Sequence, residues 1–300
     1  MPDGAEAAAI RVLSMGRVAG RALAQPGRRH VGAMFRRGFY ISDDHAWIFV
    51  SGDAEAQGPL TLWHAGAGVA DWRATPLAVG ATCVLVDRLL TVGGLYRFRL
   101  PDAETPLPRR PRAEPETARQ ALRILTKCLD EASWRLDSDR LTAAVAERAR
   151  VPVKALGRWL KNLTGPAPKS ARDLVGLGPG LTPSGDDYLA GVMLGLHAIG
   201  QPEAAVDMHE GLRPAIRAAG QAISAAHLLA ARDGLAGIAV DGFLAALLRA
   251  DEDGIRDGIR AVAATGHTSG WDTLAGVVAV LDAWMGASSA TPVPSPLLAS

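Results

Sequence analysis

The sequence has few cysteines, few aromatic residues and almost no net charge. Its 300 residues include two cysteines, Cys83 and Cys128, and their separation excludes a zinc or redox motif. We interpret them as buried thiols of a protein in a reducing compartment. The formal net charge of +1 gives no general attraction to nucleic acid or to an anionic membrane surface. We therefore expect the function to lie in a local site.

Long hydrophobic runs are also missing. The apolar stretch 188–199 is too short to span a bilayer and is interrupted by Gly191 and Gly195. The first residues contain Asp3 and Glu6 and lack the continuous apolar core of a secretion signal. The sequence therefore predicts a cytoplasmic protein with no membrane and no nucleic acid among its partners.

Several common catalytic signatures are absent. The glycine-rich segment that begins at Gly176 is neither preceded by a strand pattern nor followed by Gly-Lys-Ser/Thr, so it matches neither the P-loop nor the dinucleotide fingerprint. There is no Gly-x-Ser-x-Gly nucleophile elbow, and the histidines lack the spacing of zinc ligands. These absences disfavour nucleotide folds, a serine nucleophile and zinc chemistry.

The residue pattern changes along the chain. Residues 31–100 are short β-branched and aromatic runs separated by glycine and acidic turns, which predicts an antiparallel sheet or small barrel. Residues 101–115 hold five prolines and predict a linker. Residues 116–286 have helical periodicity. We also predict a helix over 1–30 and a disordered tail over 287–300, so the fold class is α+β, with a β-rich domain before an all-helical one.

The expected elements have the following bounds. Strands are predicted at 38–42, 46–51, 60–63, 82–86 and 95–100. Helices are predicted at 116–132, 138–148, 152–162, 184–199, 203–232 (with a possible break at Pro214), 240–249, 251–264 and 269–285.

A duplicated motif is the most informative feature. Residues 176–191 read Gly-Leu-Gly-Pro-Gly-Leu-Thr-Pro-Ser-Gly-Asp-Asp-Tyr-Leu-Ala-Gly, and 266–276 read Gly-His-Thr-Ser-Gly-Trp-Asp-Thr-Leu-Ala-Gly. With Pro183 as an insertion, the copies share Gly-x-Thr-(Pro)-Ser-Gly-x-Asp-x-Leu-Ala-Gly. Each copy lies where a loop gives way to an apolar run, which indicates the N-terminus of a buried helix.

Two interpretations of this motif remain open. In the structural one, Ser184 and Ser269 are N-caps, and Asp187 and Asp272 are the acids of capping boxes. Capping does not require the preceding threonines or the spaced glycines, however. Glycines that expose backbone N–H groups, together with helix N-termini, favour binding of phosphate or carboxylate groups. The second interpretation is therefore an anion site to which both copies contribute.

The candidate site residues follow from the second interpretation. Adjacent helix positions point about 100° apart, so we expect one of Asp186 and Asp187 to cap the helix and the other to face the pocket. By spacing Asp187 is the capper, which leaves Asp186 as a catalytic group, a substrate acceptor or a ligand of Mg²⁺. Trp271 replaces Asp186 in the second copy. His267 is the other catalytic candidate, as a general acid or base or an anion donor. The predicted substrate-binding residues are Gly178, Gly180, Thr182, Ser184, Gly185, Asp187, Ser224, His227, Thr268, Ser269 and Asp272.

The main motif resembles the signature of a bacterial family that includes the AllH-type subunit of oxamate carbamoyltransferase. Weaker similarity extends to 31–40, to Ser224 with Leu228, and to 266–276. The resemblance implies a subunit of an enzyme with FdrA-like and AllG-like partners that exchanges a carbamoyl group between oxamate and phosphate. The anionic ligand is then carbamoyl phosphate, phosphate or oxamate. Two other functions stay open from the residues, namely a non-catalytic scaffold or regulatory subunit and a Mg²⁺-dependent phosphotransfer enzyme.

Overall fold

The computed structural model describes most of the chain and divides it into two compact units, Met1–Leu107 and Pro108–Ser300. The described residues are 9–25, 27–43, 46–106, 110–131, 140–264 and 268–286. The described strands all lie in the first unit, together with one short helix, and the second unit is helical, so the predicted α+β class is confirmed. The predicted disordered tail, 287–300, lies outside the described ranges.

The first unit is a closed barrel of eight strands within the described residues. The order around the barrel is β1-β5-β4-β3-β2-β6-β7-β8, and β8 closes against β1. The β1–β8 and β4–β5 pairs are parallel and the other neighbours are antiparallel. The strands are β1 (Ile10–Met15), β2 (Arg29–Phe35), β3 (Gly38–Ser42), β4 (Trp47–Ser51), β5 (Thr61–His64), β6 (Thr82–Val86), β7 (Leu89–Val92) and β8 (Tyr96–Arg99).

Three strands were not predicted, and the first of them corrects the expected helix over residues 1–30. Residues Ile10–Met15 form β1, and only Arg17–Ala24 form a helix, α1. Val12 and Met15 of β1 point into the barrel core on either side of a register shift. The shift breaks the period of two that identifies a strand, and the arginines and alanines nearby favour a helix. The other unpredicted strands are β2 and β7.

The second unit contains eight described helices. They are α2 (Pro115–Glu131), α3 (Arg140–Leu160), α4 (Ser184–Ala198), α5 (Pro202–Ala219), α6 (Ala222–Arg232), α7 (Ile238–Leu247), α8 (Glu252–Ala263) and α9 (Ser269–Trp284). A 3₁₀ segment, Lys169–Leu174, leads towards α4. No helix in the described ranges is long and apolar enough to cross a membrane.

Two predicted helix breaks are wrong. The two helices expected at 138–148 and 152–162 are one helix, α3, which runs through Pro152. Core packing on both sides of the proline, by Ala149 and Leu156, holds the helix together despite the lost hydrogen bond. The break considered at Pro214 is also wrong, because Pro214 lies inside α5. The helix expected over 203–232 ends instead at Gly220, in the left-handed conformation with φ of 67° that glycine adopts readily.

Helices α4 and α9 form the centre of the helical core and run in the same direction. Their contacts advance together along the chain, from Asp187 beside Asp272 to Gly195 beside Val280. In α4, 13 of the 15 residues are buried, and in α9, 11 of the 16 residues are buried. Because the helices are parallel, their N-termini, which carry the two motif copies, lie at the same end of the pair.

Candidate functional site

The two motif copies meet at the N-termini of α4 and α9. The side-chain oxygens of Thr182 and Ser269 lie 3.0 Å apart, within hydrogen-bond distance. Thr182 directly precedes Pro183 at the start of α4, and Ser269 is the first residue of α9. The positive ends of the two helix dipoles therefore converge on one pair of hydroxyl groups.

The predicted capping boxes are wrong. Pro183 is the N-cap of α4, and its carbonyl oxygen accepts the N–H groups of Asp186 and Asp187. Ser184 is already helical, and no side chain caps α4. At α9 the N-cap residue is Thr268, and its side chain also makes no cap hydrogen bond. The serines lie one position too late to cap because the residue before each of them already occupies the non-helical cap position.

The glycine-rich loop folds back on the start of α4. Gly176, Gly178 and Gly180 have positive φ values of 71°, 117° and 94°, which side chains rarely adopt. The N–H of Gly176 points inward and donates to Oδ1 of Asp186, which corrects the expectation that it faces outward. Gly185 donates to the Leu177 carbonyl, and a Cβ on Gly185 would overlap the Leu174 carbonyl oxygen. These glycines permit close backbone packing around the helix start.

Asp186 points towards α6, where it is held by two donors. Oδ1 accepts the N–H of Gly176 at 2.9 Å, and Oδ2 accepts the hydroxyl of Ser224 at 2.6 Å. Burial raises the pKa of Asp186, while the bonds from Ser224 and Gly176 act in the opposite direction. The side chain is 3% exposed. Ser224 is one of the substrate-binding residues predicted from the sequence, and the structure places it in direct contact with Asp186.

Asp186, considered from the sequence as a ligand of Mg²⁺, already has hydrogen-bond partners in the structure. Both carboxylate oxygens already accept hydrogen bonds. The described part of the chain contains no group of three or more His, Cys, Asp or Glu residues that could hold a metal ion. Because Mg²⁺ commonly binds one or two carboxylates and keeps several waters, the role of Asp186 as its ligand stays a prediction.

Asp187 points towards α9 and lies beside Asp272. Burial raises the pKa of Asp187 well above its usual value, and the charges of Asp272 and Asp186 raise it further. Hydrogen bonds from the Ser269 and Thr182 side chains act in the opposite direction. Its Oδ2 atom is buried and has no hydrogen-bond partner among the described residues. The carboxyl group is therefore held in its neutral, protonated form over a wider pH range than an exposed aspartate.

The remaining predicted residues have different surroundings. Asp272 is fully buried in α9. Trp271, at the position that corresponds to Asp186, is 5% exposed and belongs to the core. His227 lies three positions after Ser224 on α6 and is half-buried, and burial lowers its pKa to about 4, so its ring is neutral at physiological pH. His267 lies outside the residues that the structure describes.

Two polar residues that lie near the site were not predicted from the sequence. The hydroxyl of Thr273 donates to the Ser269 carbonyl oxygen at 2.9 Å. Gln221, the residue before α6, lies against Gly176, and its buried Oε1 atom has no hydrogen-bond partner in the described residues. The three-residue spacing from Gln221 to Ser224 was the available signal, since residues three apart share a helix face.

The site thus has two sides, separated by the first turn of α4. On the α9 side are two hydroxyl groups, the two buried carboxyl groups of Asp187 and Asp272, and two helix N-termini. On the α6 side are a hydrogen-bonded aspartate, Ser224 and the carboxamide of Gln221. Hydroxyls and helix N-termini can bind and stabilise negative charge, and the carboxyl and carboxamide groups can pair with polar N–H groups.

One protein family matches the region that contains the site. No curated protein and no solved structure matches the chain significantly. Residues 174–281, which contain both motif copies and the residues between them, match the family described as oxamate carbamoyltransferase subunit AllH, and this match confirms the resemblance predicted from the motif.

Proposed function

We propose that the chain is a subunit of a carbamoyltransferase-type enzyme that acts on oxamate or a related small carbamoyl or amide acid. In this proposal the N-termini of α4 and α9 bind the small anionic group of the substrate. The observation that carries the proposal is the 3.0 Å contact between the Thr182 and Ser269 hydroxyls, where the two motif copies meet inside the matched region.

The electrostatics on the α9 side support an anion. Two parallel helices direct the positive ends of their dipoles to the same place, which favours a negatively charged group there. A fully ionised carboxylate so close would oppose this effect. The raised pKa of Asp187 favours the neutral carboxyl group, so this residue does not repel a bound anion.

The same features suit transfer of a carbamoyl group. Attack on the carbamoyl carbon places negative charge on its oxygen, and the fixed dipoles of two helix N-termini stabilise such charge without rearrangement. Carbamoyl phosphate, phosphate and oxamate are the anions that this chemistry would bring to the site. As a subunit, the chain would work with FdrA-like and AllG-like partners, which would supply the rest of the active site.

A scaffold or regulatory role is the second candidate function. One observation favours it, which is the complete burial of Asp272 together with the close packing of α4 on α9. Residues of the motif that pack two helices together need no ligand to account for them. In this case the chain would position partner subunits without binding their substrate.

Ligand-dependent thermal stability separates the two candidates. A ligand that binds only the folded chain at 100 times its Kd stabilises it by about 2.7 kcal/mol, which shifts Tm by several degrees. We expect phosphate, carbamoyl phosphate or oxamate to give such a shift. The double substitution Thr182→Val and Ser269→Ala should abolish it, because it removes both hydroxyl groups where the two helix N-termini meet while nearly preserving side-chain volume.

Thr126→Val is the matched control. Thr126 lies on α2, and its hydroxyl bonds to the Leu122 carbonyl of the same helix. This substitution should leave the ligand-induced shift unchanged. If none of the three anions shifts Tm, either for the chain alone or with the partner subunits added, the anion-binding proposal is wrong and the scaffold function is favoured.

A further inference from the structure

Gln221 lies on the α6 side of the site. It occupies the N-cap position of α6 and makes no side-chain cap bond, although its carbonyl accepts the N–H of Ala225. Its side chain lies against the glycine-rich loop, since a Cβ placed on Gly176 would be 3.6 Å from Oε1. Gly176 is the residue whose N–H binds Asp186. The Gln221 carboxamide is therefore a near neighbour of the Asp186 cluster.

The Oε1 atom of Gln221 is an unsatisfied acceptor. It is buried and has no hydrogen-bond partner among the described residues. A buried polar atom without a partner typically costs about 1–3 kcal/mol, so such atoms are rare in folded proteins and call for an explanation. Ser224, three residues further along the chain, does not supply a donor, because its hydroxyl hydrogen is donated to Asp186.

We propose that Gln221 accepts a hydrogen bond from the amide N–H of the substrate and selects ligands that carry a primary carboxamide or carbamoyl group. This inference rests on the proposed function and names the group that the same site recognises. The ligand class is a small acid with a carboxylate or phosphate at one end and an NH₂ group at the other.

The pair oxamate and oxalate tests this selectivity directly. Oxalate has a carboxylate oxygen where oxamate has the NH₂ group, so it presents an acceptor to Oε1 instead of a donor. A site built to bond a substrate N–H rejects the analogue that lacks it, and we expect the unmodified protein to bind oxamate at least about tenfold more tightly. Kd values for oxamate, oxalate and phosphate are measured by calorimetry.

Gln221→Met removes the acceptor and keeps a side chain of similar length. It should bring the Kd ratio of oxalate to oxamate close to one and leave the phosphate Kd unchanged. Gln221→Glu retains an acceptor and should keep the preference for oxamate, with weaker binding of all three anions. Gln201→Met is the matched control, because Gln201 is the N-cap of α5, also without a side-chain cap bond, and is exposed.

The outcomes separate this inference from the proposed function. If no anion binds any variant, both are wrong. If anions bind but the unmodified protein shows no preference for oxamate, or Gln221→Met keeps the preference, only the role of Gln221 is overturned. If Gln221→Met weakens oxamate and oxalate equally, Gln221 donates its NH₂ group to a carboxylate, and the assignment of Oε1 as the acceptor is wrong. Circular dichroism checks that each variant is folded.

Discussion

Gly191 of α4 and Gly276 of α9 occupy equivalent positions in the two motif copies and make reciprocal contacts. A Cβ on Gly191 would overlap the carbonyl oxygen of Thr273, and a Cβ on Gly276 would overlap the carbonyl oxygen of Tyr188. Tyr188 and Thr273 are themselves equivalent in the alignment of the copies. The helices are thus related by an approximate internal two-fold axis, and glycine at both positions lets their backbones touch.

Gly276→Ala should destabilise the protein strongly. Alanine normally stabilises a helix relative to glycine, by up to about 1 kcal/mol. Here the new methyl group would overlap the backbone of α4, which cannot move as a flexible side chain can. We expect a net loss of about 3 kcal/mol, measured as the change in free energy of unfolding in urea.

Gly211→Ala provides the control for helix propensity. Gly211 lies on the exposed face of α5, and a Cβ there would meet nothing within 4 Å. This substitution should leave stability unchanged or raise it by up to about 1 kcal/mol. If Gly276→Ala changes the free energy of unfolding as little as Gly211→Ala does, the backbones of α4 and α9 are not in close contact at Gly276.

The sequence predicted the fold class because each unit has a clear local pattern. The strands Gly38–Ser42 and Thr82–Val86 have the predicted bounds, and α4 and α9 begin at the predicted serines. The predictions failed where tertiary contacts decide the outcome. Pro152 lies inside α3 because the core holds the helix on both sides of it, and Ile10–Met15 forms a strand because two neighbouring strands pair with it.

The candidate site could be predicted by residue type but not by orientation. The 100° separation of adjacent helix positions correctly indicated that Asp186 and Asp187 face different neighbours. Their partners could not be inferred, since Ser224 lies 38 residues from Asp186 in sequence. Spacing alone suggested that Asp187 caps its own helix, whereas tertiary packing turns it towards Ser269. Long-range contacts of this kind leave no local pattern.

Asp187→Asn should stabilise the protein at neutral and alkaline pH. Because burial raises the pKa of Asp187 in the folded state, its proton contributes stability that is fully present below the ordinary aspartate pKa of 3.8. That contribution is lost as the pH rises through the raised pKa. Asparagine has no such proton to lose, so the Tm of the variant should exceed that of the unmodified protein by an amount that grows with pH.

Thermal melts between pH 4 and pH 9 check this prediction. Asp207→Asn is the control, because Asp207 is exposed on α5 and the substitution removes a charge without affecting the buried pair. If the Tm difference for Asp187→Asn stays constant across this range, or falls as the pH rises, burial does not hold the proton on Asp187.

Ser224→Ala should destabilise the protein, and the loss should increase with pH. The Ser224 hydroxyl donates to Asp186 at 2.6 Å and stabilises its ionised form. Removal of a hydrogen bond to a buried charged group costs about 1.5–3 kcal/mol. Without this donor the pKa of Asp186 rises further, so more stability is lost as the pH rises and the carboxyl group ionises.

A double-mutant cycle with Asp186→Asn isolates this interaction. In the Asp186→Asn background the hydroxyl no longer faces a titrating group, so the additional effect of Ser224→Ala should be smaller and independent of pH. If Ser224→Ala changes the free energy of unfolding by the same amount and with the same pH dependence in both backgrounds, Ser224 acts through packing alone. Free energies of unfolding at several pH values provide the measurement.

His64 should make the protein sensitive to acid. This residue ends β5 and is 2% exposed, and its Nδ1 atom accepts the N–H of Gly66 at 3.1 Å. Burial lowers its pKa from 6.5 to about 4, so the unfolded chain binds a proton between these values while the folded barrel does not. Stability present above pH 6.5 is therefore lost as the pH falls towards 4, by up to about 3 kcal/mol.

His64→Asn tests this assignment, because an asparagine side-chain oxygen can replace Nδ1 as the acceptor from Gly66 and does not titrate. The variant should be less stable at pH 7, since it loses the contacts of the ring with Trp72 and Phe98. Its stability should nevertheless change less between pH 6.5 and pH 4. His30→Asn, at an exposed position of β2, is the matched control for the substitution. If His64→Asn retains the full acid sensitivity, another group takes up the proton, because a residue that does not titrate cannot contribute to the slope of stability with pH.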